Sequence, residues 1–375
     1  MRAHRFPITL GVYAILRSVT SAPAGVREIT LDPKLSRDAA CHAIKHLCPP
    51  HCAGRIDIAK LYEMRLIDNF TALGVFGARN RMVDLKALAL PVFAGLMLVE
   101  AVLSARRGKL AYELADFLGS MSQLAGNILV QLAVNGLILG FYFGLYQFRI
   151  FTFDTSIEQL ILLAIVLDFL YYWYHRASHR VRLLWAVHVA HHSSECMNLG
   201  TALRQSWFGP LTKPLFYWPV PLLGFDPIMI MSVGSLLTIY GFWTHTEQIK
   251  RIGWLEHVFV SPAHHRVHHG SNPQYIDRNF SNFLIIWDKI FRTFEAERQP
   301  VIYGLTNNIK TYNPFRIALH EWSAMFAELA RANSLSDRLR LIFSPPDDRS
   351  RPICPSPLDT DKNRQFVTSK QSFDS

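Results

Sequence analysis

Residues 161–180 read ILLAIVLDFLYYWYHRASHR, an apolar run that ends in two histidines four positions apart. Apart from Asp168, every residue before His175 is aliphatic or aromatic, as is typical of a helix that enters a bilayer. Residues three or four apart share one face of a helix, so His175 and His179 can direct both imidazoles at one point. The stretch therefore predicts a membrane helix with a metal-binding end.

Two more groups of histidines repeat this spacing. His188, His191 and His192 follow the run, and the same HxxHH pattern returns at His265, His268 and His269. These eight imidazoles, with His245 as a ninth, exceed the four ligands of one tetrahedral ion, which predicts two metal ions. Imidazole suits zinc, copper, iron and nickel alike, so the ligand type alone does not identify the metal.

The composition favours a membrane protein. The chain has 375 residues, of which 50% are hydrophobic and only 18% charged, which excludes disordered, collagen-like and disulfide-scaffold classes. Apolar stretches cover residues 88–103, 124–148, 157–174 and 215–243, and Asp226-Pro227 breaks the last into two legs of a hairpin. We predict an all-α integral membrane bundle with a cytoplasmic, His-rich di-metal cap; buried helices of a large soluble protein are the alternative.

The charge distribution bears on partners and orientation. The net charge is +10, but Lys and Arg are spread along the chain and flank the apolar runs, which favours lipid headgroups over nucleic acid. A two-span hairpin places two basic groups on one side, which the positive-inside rule makes cytoplasmic. These groups are Arg106, Arg107 and Lys109, and Arg176, Arg180 and Arg182. Arg79, Arg81 and Lys86 count against this orientation.

The ends of the chain differ from its middle. We expect an extension at residues 1–63 that is disordered or targeting, a membrane domain at 64–310, an amphipathic helical segment at 311–344 and a disordered tail at 345–375. In the extension, Cys41, Cys48 and Cys52 stand among histidines, but their spacing matches no zinc-finger type. A reduced, solvated segment is the simpler interpretation.

Two acidic residues stand near the histidines. Asp168 lies two helical turns before His175, inside an apolar run where a carboxylate is costly unless it is paired. We expect it to accept a hydrogen bond from a ligand imidazole. Glu195 follows the second group, and a similar supporting role is expected for it.

Longer motifs surround these groups: His191-His-Ser-Ser-Glu195, Asn198-Leu-Gly-Thr-Ala-Leu-Arg-Gln205 and Ser261-Pro-Ala-His-His-Arg-Val-His-His-Gly270. With the 168–179 stretch, they resemble the fatty acid hydroxylase and sterol desaturase superfamily of membrane-embedded di-iron oxygenases, and within it the alkylglycerol monooxygenase branch. The resemblance covers roughly residues 83–306. Ser281-Asn282 and Arg292, which stands where a glycine is usual, depart from the pattern.

The resemblance implies a role for each matching position. Glu195, Asp168 and Asn198 would act in catalysis, and Arg204 and Gln205 would bind the cofactor. Iron would be the metal and tetrahydrobiopterin the reductant, although other branches take electrons from a cytochrome or ferredoxin chain. The implied metal ligands are His175, His179, His188, His191, His192, His245, His264, His265, His268 and His269.

The expected activity is hydroxylation of a lipid by O2 and an external reductant, with cleavage of an ether lipid if the alkylglycerol likeness holds. Within the superfamily, the alternative is a sterol or fatty acid hydroxylase or desaturase. From other classes, zinc-dependent hydrolysis of a lipid ester and metal transport stay open. Zinc in the purified protein and turnover without oxygen would support hydrolysis.

Overall fold

The structure is a computed structural model that describes residues 85–346, except for the side chains of residues 86 and 87. Within these residues the chain is helical, with two isolated β-bridges and no strand. The helices are α1 (Leu85–Arg106), α2 (Leu114–Tyr146), α3 (Ile157–Arg180), α4 (Arg182–His192), α5 (Gly209–Thr212), α6 (Pro214–Tyr217), α7 (Pro219–Leu223), α8 (Pro227–Trp243), α9 (Pro262–His268), α10 (Ile286–Ile290), α11 (Pro314–Arg331) and α12 (Leu335–Phe343). The predicted N-terminal extension, its Cys and His cluster and nearly all of the predicted tail lie outside the described residues.

Three helices are long and apolar enough to cross a bilayer: residues 88–106 of α1, all of α2 and all of α3. Their outer faces carry exposed aliphatic side chains such as Leu98, Leu132 and Leu137, which hydrocarbon would cover. Helix α2 begins ten residues earlier than the predicted stretch, because its polar first turns are satisfied inside the protein: Ser120 donates to the carbonyl of Asp116, and Gln123 donates to that of Pro314. The all-helical membrane architecture is confirmed for the described residues.

The fourth apolar stretch forms the short helices α6 and α7 and then α8. Gly224 ends α7 with a φ of +118°, and a Cβ there would lie 2.2 Å from the carbonyl oxygen of Phe151, so only glycine fits. Asp226 then caps α8 by accepting from the Ile228 amide at 2.7 Å, with Pro227 at the first helical position. The predicted break at Asp226-Pro227 is thus the start of α8.

An apolar core joins α2, α3, α7 and α8. Leu163 and Leu167 of α3 are fully buried against Val220, Ile230 and Val233. Because lipid tails are as apolar as these side chains, close van der Waals packing, and not removal from water, holds the apolar half of α3 against its neighbours. Its other half therefore presents His175 and His179 at a fixed place beside α4.

The segment after the histidines packs back onto the membrane helices. Asn313 caps α11 by accepting from the amides of Phe315 and Arg316 at 3.0 and 3.1 Å, and Pro314 is the first residue of the helix. Helix α11 buries Ile317 and Met325. Its carboxylates Glu321 and Glu328 both accept from Arg182 at the start of α4, so α11 braces the helix that carries the second histidine group.

Candidate metal centre

Nine buried or half-buried histidines converge on two adjacent points. The five-His group consists of His175, His179, His188, His192 and His268, and the four-His group of His191, His245, His265 and His269. Within each group, one nitrogen per ring lies within 4.8 Å of all the others. Two nitrogens opposite each other on one ion are about 4.2 Å apart, so each group has nearly the size of a coordination shell.

Helical periodicity explains how each element supplies its ligands. His175 and His179 lie one turn apart on α3, His188 and His192 one turn apart on α4, and His265 and His269 span the end of α9. The two groups are neighbours: the rings of His192 and His269 stack with centroids 4.5 Å apart, and those of His268 and His265 stack with centroids 5.3 Å apart. The arrangement therefore offers two adjacent positions that could each hold a metal ion.

Hydrogen bonds to backbone carbonyl oxygens fix the orientation of several histidine rings. The Nδ1 atoms of His175, His191, His245 and His268 lie 2.7–3.2 Å from the carbonyl oxygens of Phe280, Arg204, Gly241 and Arg278, respectively. Because a carbonyl oxygen only accepts, each of these Nδ1 atoms carries the proton. The Nε2 atom of each neutral ring is then the free ligand, and it faces the centre of its group.

The electrostatics favour the metal-binding form of these rings. Burial lowers the pKa of His191 to about 4 and holds the pKa values of His192, His265 and His269 well below the usual range. The rings are therefore neutral at physiological pH, which is the state that binds a metal ion. Repulsion between neighbouring imidazoles acts in the same direction.

The close approach of the ring nitrogens suits a shared cation. Nε2 of His188 lies 2.9 Å from that of His175 and 3.0 Å from that of His192, and Nε2 of His265 lies 2.9 Å from that of His245. Metal–nitrogen bonds of about 2.1 Å place neighbouring ligands about 3.0–3.4 Å apart, which is close to this spacing. The buried Nε2 atoms of His179 and His268 have no hydrogen-bond partner. The donor set thus fits two transition-metal ions.

His264 is separate from both groups. It is the third residue of α9, where its amide donates to Oγ of Ser261 and its Nδ1 accepts from the Ser261 amide at 3.3 Å, which completes a capping box. Its ring packs edge-on against Phe294. One position before His265 it points about 100° away around the helix, so its geometry differs from that expected of a ligand.

The structure gives Asp168 other partners than the expected imidazole. Its carboxylate is fully buried and accepts from the amides of Phe283 and Leu284 at 3.0 and 2.9 Å, and from Nε1 of Trp287 at 2.9 Å. These contacts fix the loop that follows Phe280, whose carbonyl oxygen aims His175. Asp168 therefore acts on the site through the loop and does not contact a ligand ring.

The residues expected around the cofactor lie on a loop that supports α4. Arg204 is fully buried, donates at 2.8 Å to the carboxylate of Asp116, and donates to the carbonyl of Ala190 near the end of α4. Asn198 donates to the carbonyl of Ala111 and accepts from the amide of Thr201. The side chains of Gln205 and Glu195 are exposed. Direct roles in chemistry or cofactor binding stay predictions for these residues.

Glu100, a buried carboxylate in the first membrane helix, lies close to the four-His group. Glu100 is 4% exposed and accepts from the hydroxyl of Tyr112 at 2.5 Å and from the Leu199 amide at 2.8 Å. Its other oxygen accepts from the hydroxyl of Thr246, the residue after His245. This pairing satisfies a group that would otherwise be costly in a membrane helix.

Sequence reasoning missed the acceptors on residues 277–280. Backbone carbonyl oxygens carry no sequence signal, so nothing in the chain pointed to Arg278 or Phe280 as partners of ligand rings. Asp277 lies 3.6 Å from Nδ1 of His179 and 2.6 Å from Arg180. Its place beside the site depends on a loop whose path only the folded chain shows.

Comparison with known proteins agrees with this site. Residues 160–293 match the model of the fatty acid hydroxylase family, and they include all nine converging histidines. The chain is therefore similar to the fatty acid hydroxylase family over these residues. It is also related to the alkylglycerol monooxygenases: 38% identical to the human protein over 275 residues, which are 72% of this chain and 61% of that protein.

Other similar proteins are also monooxygenases or hydroxylases by name. The alkylglycerol monooxygenase of Danio rerio is 36% identical over 69% of this chain and 58% of its own length. The ornithine lipid hydroxylase OlsE of Rhizobium tropici is 29% identical over 38% of this chain and 43% of its own length. The chain thus spans about three-fifths of the length of the human and Danio rerio proteins. No solved structure matches this chain.

Proposed function

We propose that the chain is a membrane-bound di-iron monooxygenase that inserts one oxygen atom into a C–H bond of a lipid. The observation that carries the proposal is the convergence of two buried imidazole groups at the end of an apolar, membrane-capable helix. The alkylglycerol monooxygenases and the bacterial lipid hydroxylase among the relatives support the same class of reaction.

The ligand number supports iron over zinc. Zinc in proteins is nearly always bound by four ligands, whereas the five-His group offers five imidazoles that aim at one point. A hydrolytic zinc site would also use fewer histidines than the nine gathered here. Iron accommodates a larger imidazole shell, and bound iron would supply the activation of oxygen that an unactivated C–H bond requires.

The overall reaction consumes one O2, two electrons and two protons for each C–H bond that becomes C–OH, and it releases one water. If the lipid is an alkylglycerol, hydroxylation of the carbon next to the ether oxygen gives a hemiacetal. The hemiacetal then breaks its C–O bond to leave an aldehyde and a free glycerol hydroxyl. Electrons come from an external reductant, for which the alkylglycerol likeness favours tetrahydrobiopterin.

The protein's own groups prepare the site for this reaction. A cavity of about 350 Å³ opens beside both groups, and His179, His192, His268 and His269 form part of its wall. Trp185, which also lines the cavity, packs against the rings of His179 and His192 with centroids 5.3 and 5.8 Å away, so an aromatic side chain covers one side of the five-His group. Burial of the rings keeps water from the reacting carbon.

The position of the site relative to the membrane bears on how the lipid reaches it and on which face of the membrane the reaction takes place. Helix α3 carries its histidines in its last two turns, so the site lies at the end of a span, where a lipid can reach it without leaving the bilayer. The basic residues Arg106, Arg107 and Arg180 lie at this end of the spans. By the positive-inside rule, this end of the spans is cytoplasmic.

Purification in detergent, metal analysis and an assay under 18O2 test the proposal. We expect two iron ions per chain and one labelled oxygen in the lipid product, with alkylglycerol, sterol and fatty acyl lipids compared with and without reduced pterin. If only a sterol or a fatty acyl lipid were turned over, the substrate would belong to that class and not to the alkylglycerols. Zinc with oxygen-independent ester cleavage would refute the oxygenase.

A further inference from the structure

Residues 277–280 act on three ligands of the five-His group. Asp277 lies 3.6 Å from Nδ1 of His179, the carbonyl oxygen of Arg278 lies 3.0 Å from Nδ1 of His268, and that of Phe280 lies 2.7 Å from Nδ1 of His175. We call residues 277–280 the orienting segment. One short loop thus supplies hydrogen-bond acceptors for two of the five rings that surround one metal position, and it places a carboxylate beside a third ring.

The backbone of this segment is held in an unusual conformation. Asp277 and Asn279 have φ values of +58° and +54°, in the left-handed region that side chains rarely adopt. Asn279 is fixed from both ends, since it donates to the carbonyls of His264 and Glu295 and accepts from the Glu295 amide. Such conformations persist where the surroundings determine them, and they cluster at functional sites.

Asp277 differs from the other acceptors because it is charged. One carboxylate oxygen faces His179, and the other accepts from Nη1 of Arg180 at 2.6 Å. The carboxylate of Asp277 therefore lies between the Arg180 guanidinium and the ring of His179. By contrast, the acceptors seen for the four-His group are the backbone carbonyls of Arg204 and Gly241.

From this geometry we propose that Asp277 is a positioning residue, which holds the proton of His179 on Nδ1 and aims Nε2 at the metal. The carboxylate makes His179 a stronger donor and adds negative charge beside the five-His group, so that this group binds its ion more tightly than the four-His group does. The proposal rests on the metal centre of the proposed function but not on the lipid substrate.

Asp277→Asn is the cleanest test of the carboxylate. Asparagine keeps the shape of the side chain and tolerates the left-handed region, so the variant removes the charge with little effect on the backbone. Arg180→Gln is the matched control, because it breaks the Arg180–Asp277 ion pair and leaves the carboxylate facing His179. Arg180 is 55% exposed, so its replacement costs little stability.

The measurement is Fe²⁺ binding to the full chain in detergent without oxygen, in competition with a coloured chelator. We expect the wild type to bind two ions of unequal affinity, and Asp277→Asn to weaken the tighter one by about 10–100-fold and leave the other unchanged. Arg180→Gln should keep both affinities within about threefold, because it leaves the carboxylate beside His179 in place.

Four results would overturn the proposal. In the first two, Asp277→Asn binds iron as the wild type does, or Arg180→Gln loses as much iron affinity as Asp277→Asn. In the other two, Asp277→Asn weakens only the more loosely bound ion, or the wild type binds no iron. If Asp277→Asn fails to fold, Asp277→Gly takes its place, because glycine relieves the positive φ and still lacks the carboxylate. Lipid turnover is measured separately, so a wild type that binds iron in this pattern but leaves all lipids unchanged would count against the proposed function alone.

Discussion

The Nε2 atoms of His191 and His245 lie 3.3 Å apart, although both rings hold their proton on the opposite nitrogen. The Nδ1 atom of His191 donates to the carbonyl of Arg204, and that of His245 donates to the carbonyl of Gly241. Two lone pairs therefore face each other in a buried place, which is unfavourable unless a cation lies between them. A metal ion bound between these two nitrogens would make the geometry favourable.

Replacing one ligand in each group should separate the two metal positions. We expect His191→Ala and His268→Ala each to lower the iron content from two ions towards one and to abolish lipid oxidation, because the ions act together. Metal analysis of the purified variants measures this. His257→Ala is the control: that histidine is exposed and lies outside both groups, so iron and activity should stay at the wild-type level.

His264 should be dispensable for metal binding. Its Nδ1 atom accepts from the Ser261 amide, so His264→Ala should keep both iron ions and cost about 0.5–2 kcal/mol of stability through the lost cap. His264→Gln, whose side chain can restore the capping box, should recover much of that loss. Loss of an ion in both variants would instead return His264 to the ligand set.

Arg292 occupies a position that suits glycine. Its φ is +58° and its side chain is exposed, so Arg292→Gly should relieve backbone strain and stabilise the fold by about 1 kcal/mol. Arg292→Ala separates the backbone from the side chain, because alanine keeps the Cβ and should give no gain. The thermal midpoint in detergent measures the difference, and an equal rise in both variants would contradict the strain argument.

The ion pair between Asp116 and Arg204 should be costly to break. Their side chains are 6% and 1% exposed, so Asp116→Asn leaves a buried guanidinium without its counter-charge and should destabilise the protein by about 3–5 kcal/mol. Arg204 also holds the end of α4, so the four-His group should lose its iron first.

A surface pair provides the comparison for that variant. Glu295 and Arg298 are 3.6 Å apart, and Arg298 is 78% exposed, so Glu295→Gln should cost less than about 1 kcal/mol and leave the iron content unchanged. Equal effects of Asp116→Asn and Glu295→Gln on the thermal midpoint and the iron content would show that burial of the Arg204 pair has no special importance.

Local patterns predicted the parts of the protein that depend on helical periodicity. The apolar length of α3 and the spacing of His175 and His179 follow from one helix, so both could be read from the sequence. The partners of Asp168 could not, because they are amides of a loop more than a hundred residues later. The partner of Arg204 could not be predicted either, because Arg204 forms its buried ion pair with Asp116 of α2, far away in the sequence.

Glu100 joins the first membrane helix to the metal centre through Thr246, the neighbour of His245. If α1 tilts or shifts along the bilayer normal, it must either break these buried hydrogen bonds or carry the backbone of His245 with it. The position of α1 in the bilayer is therefore coupled to the backbone that carries one ligand of the four-His group.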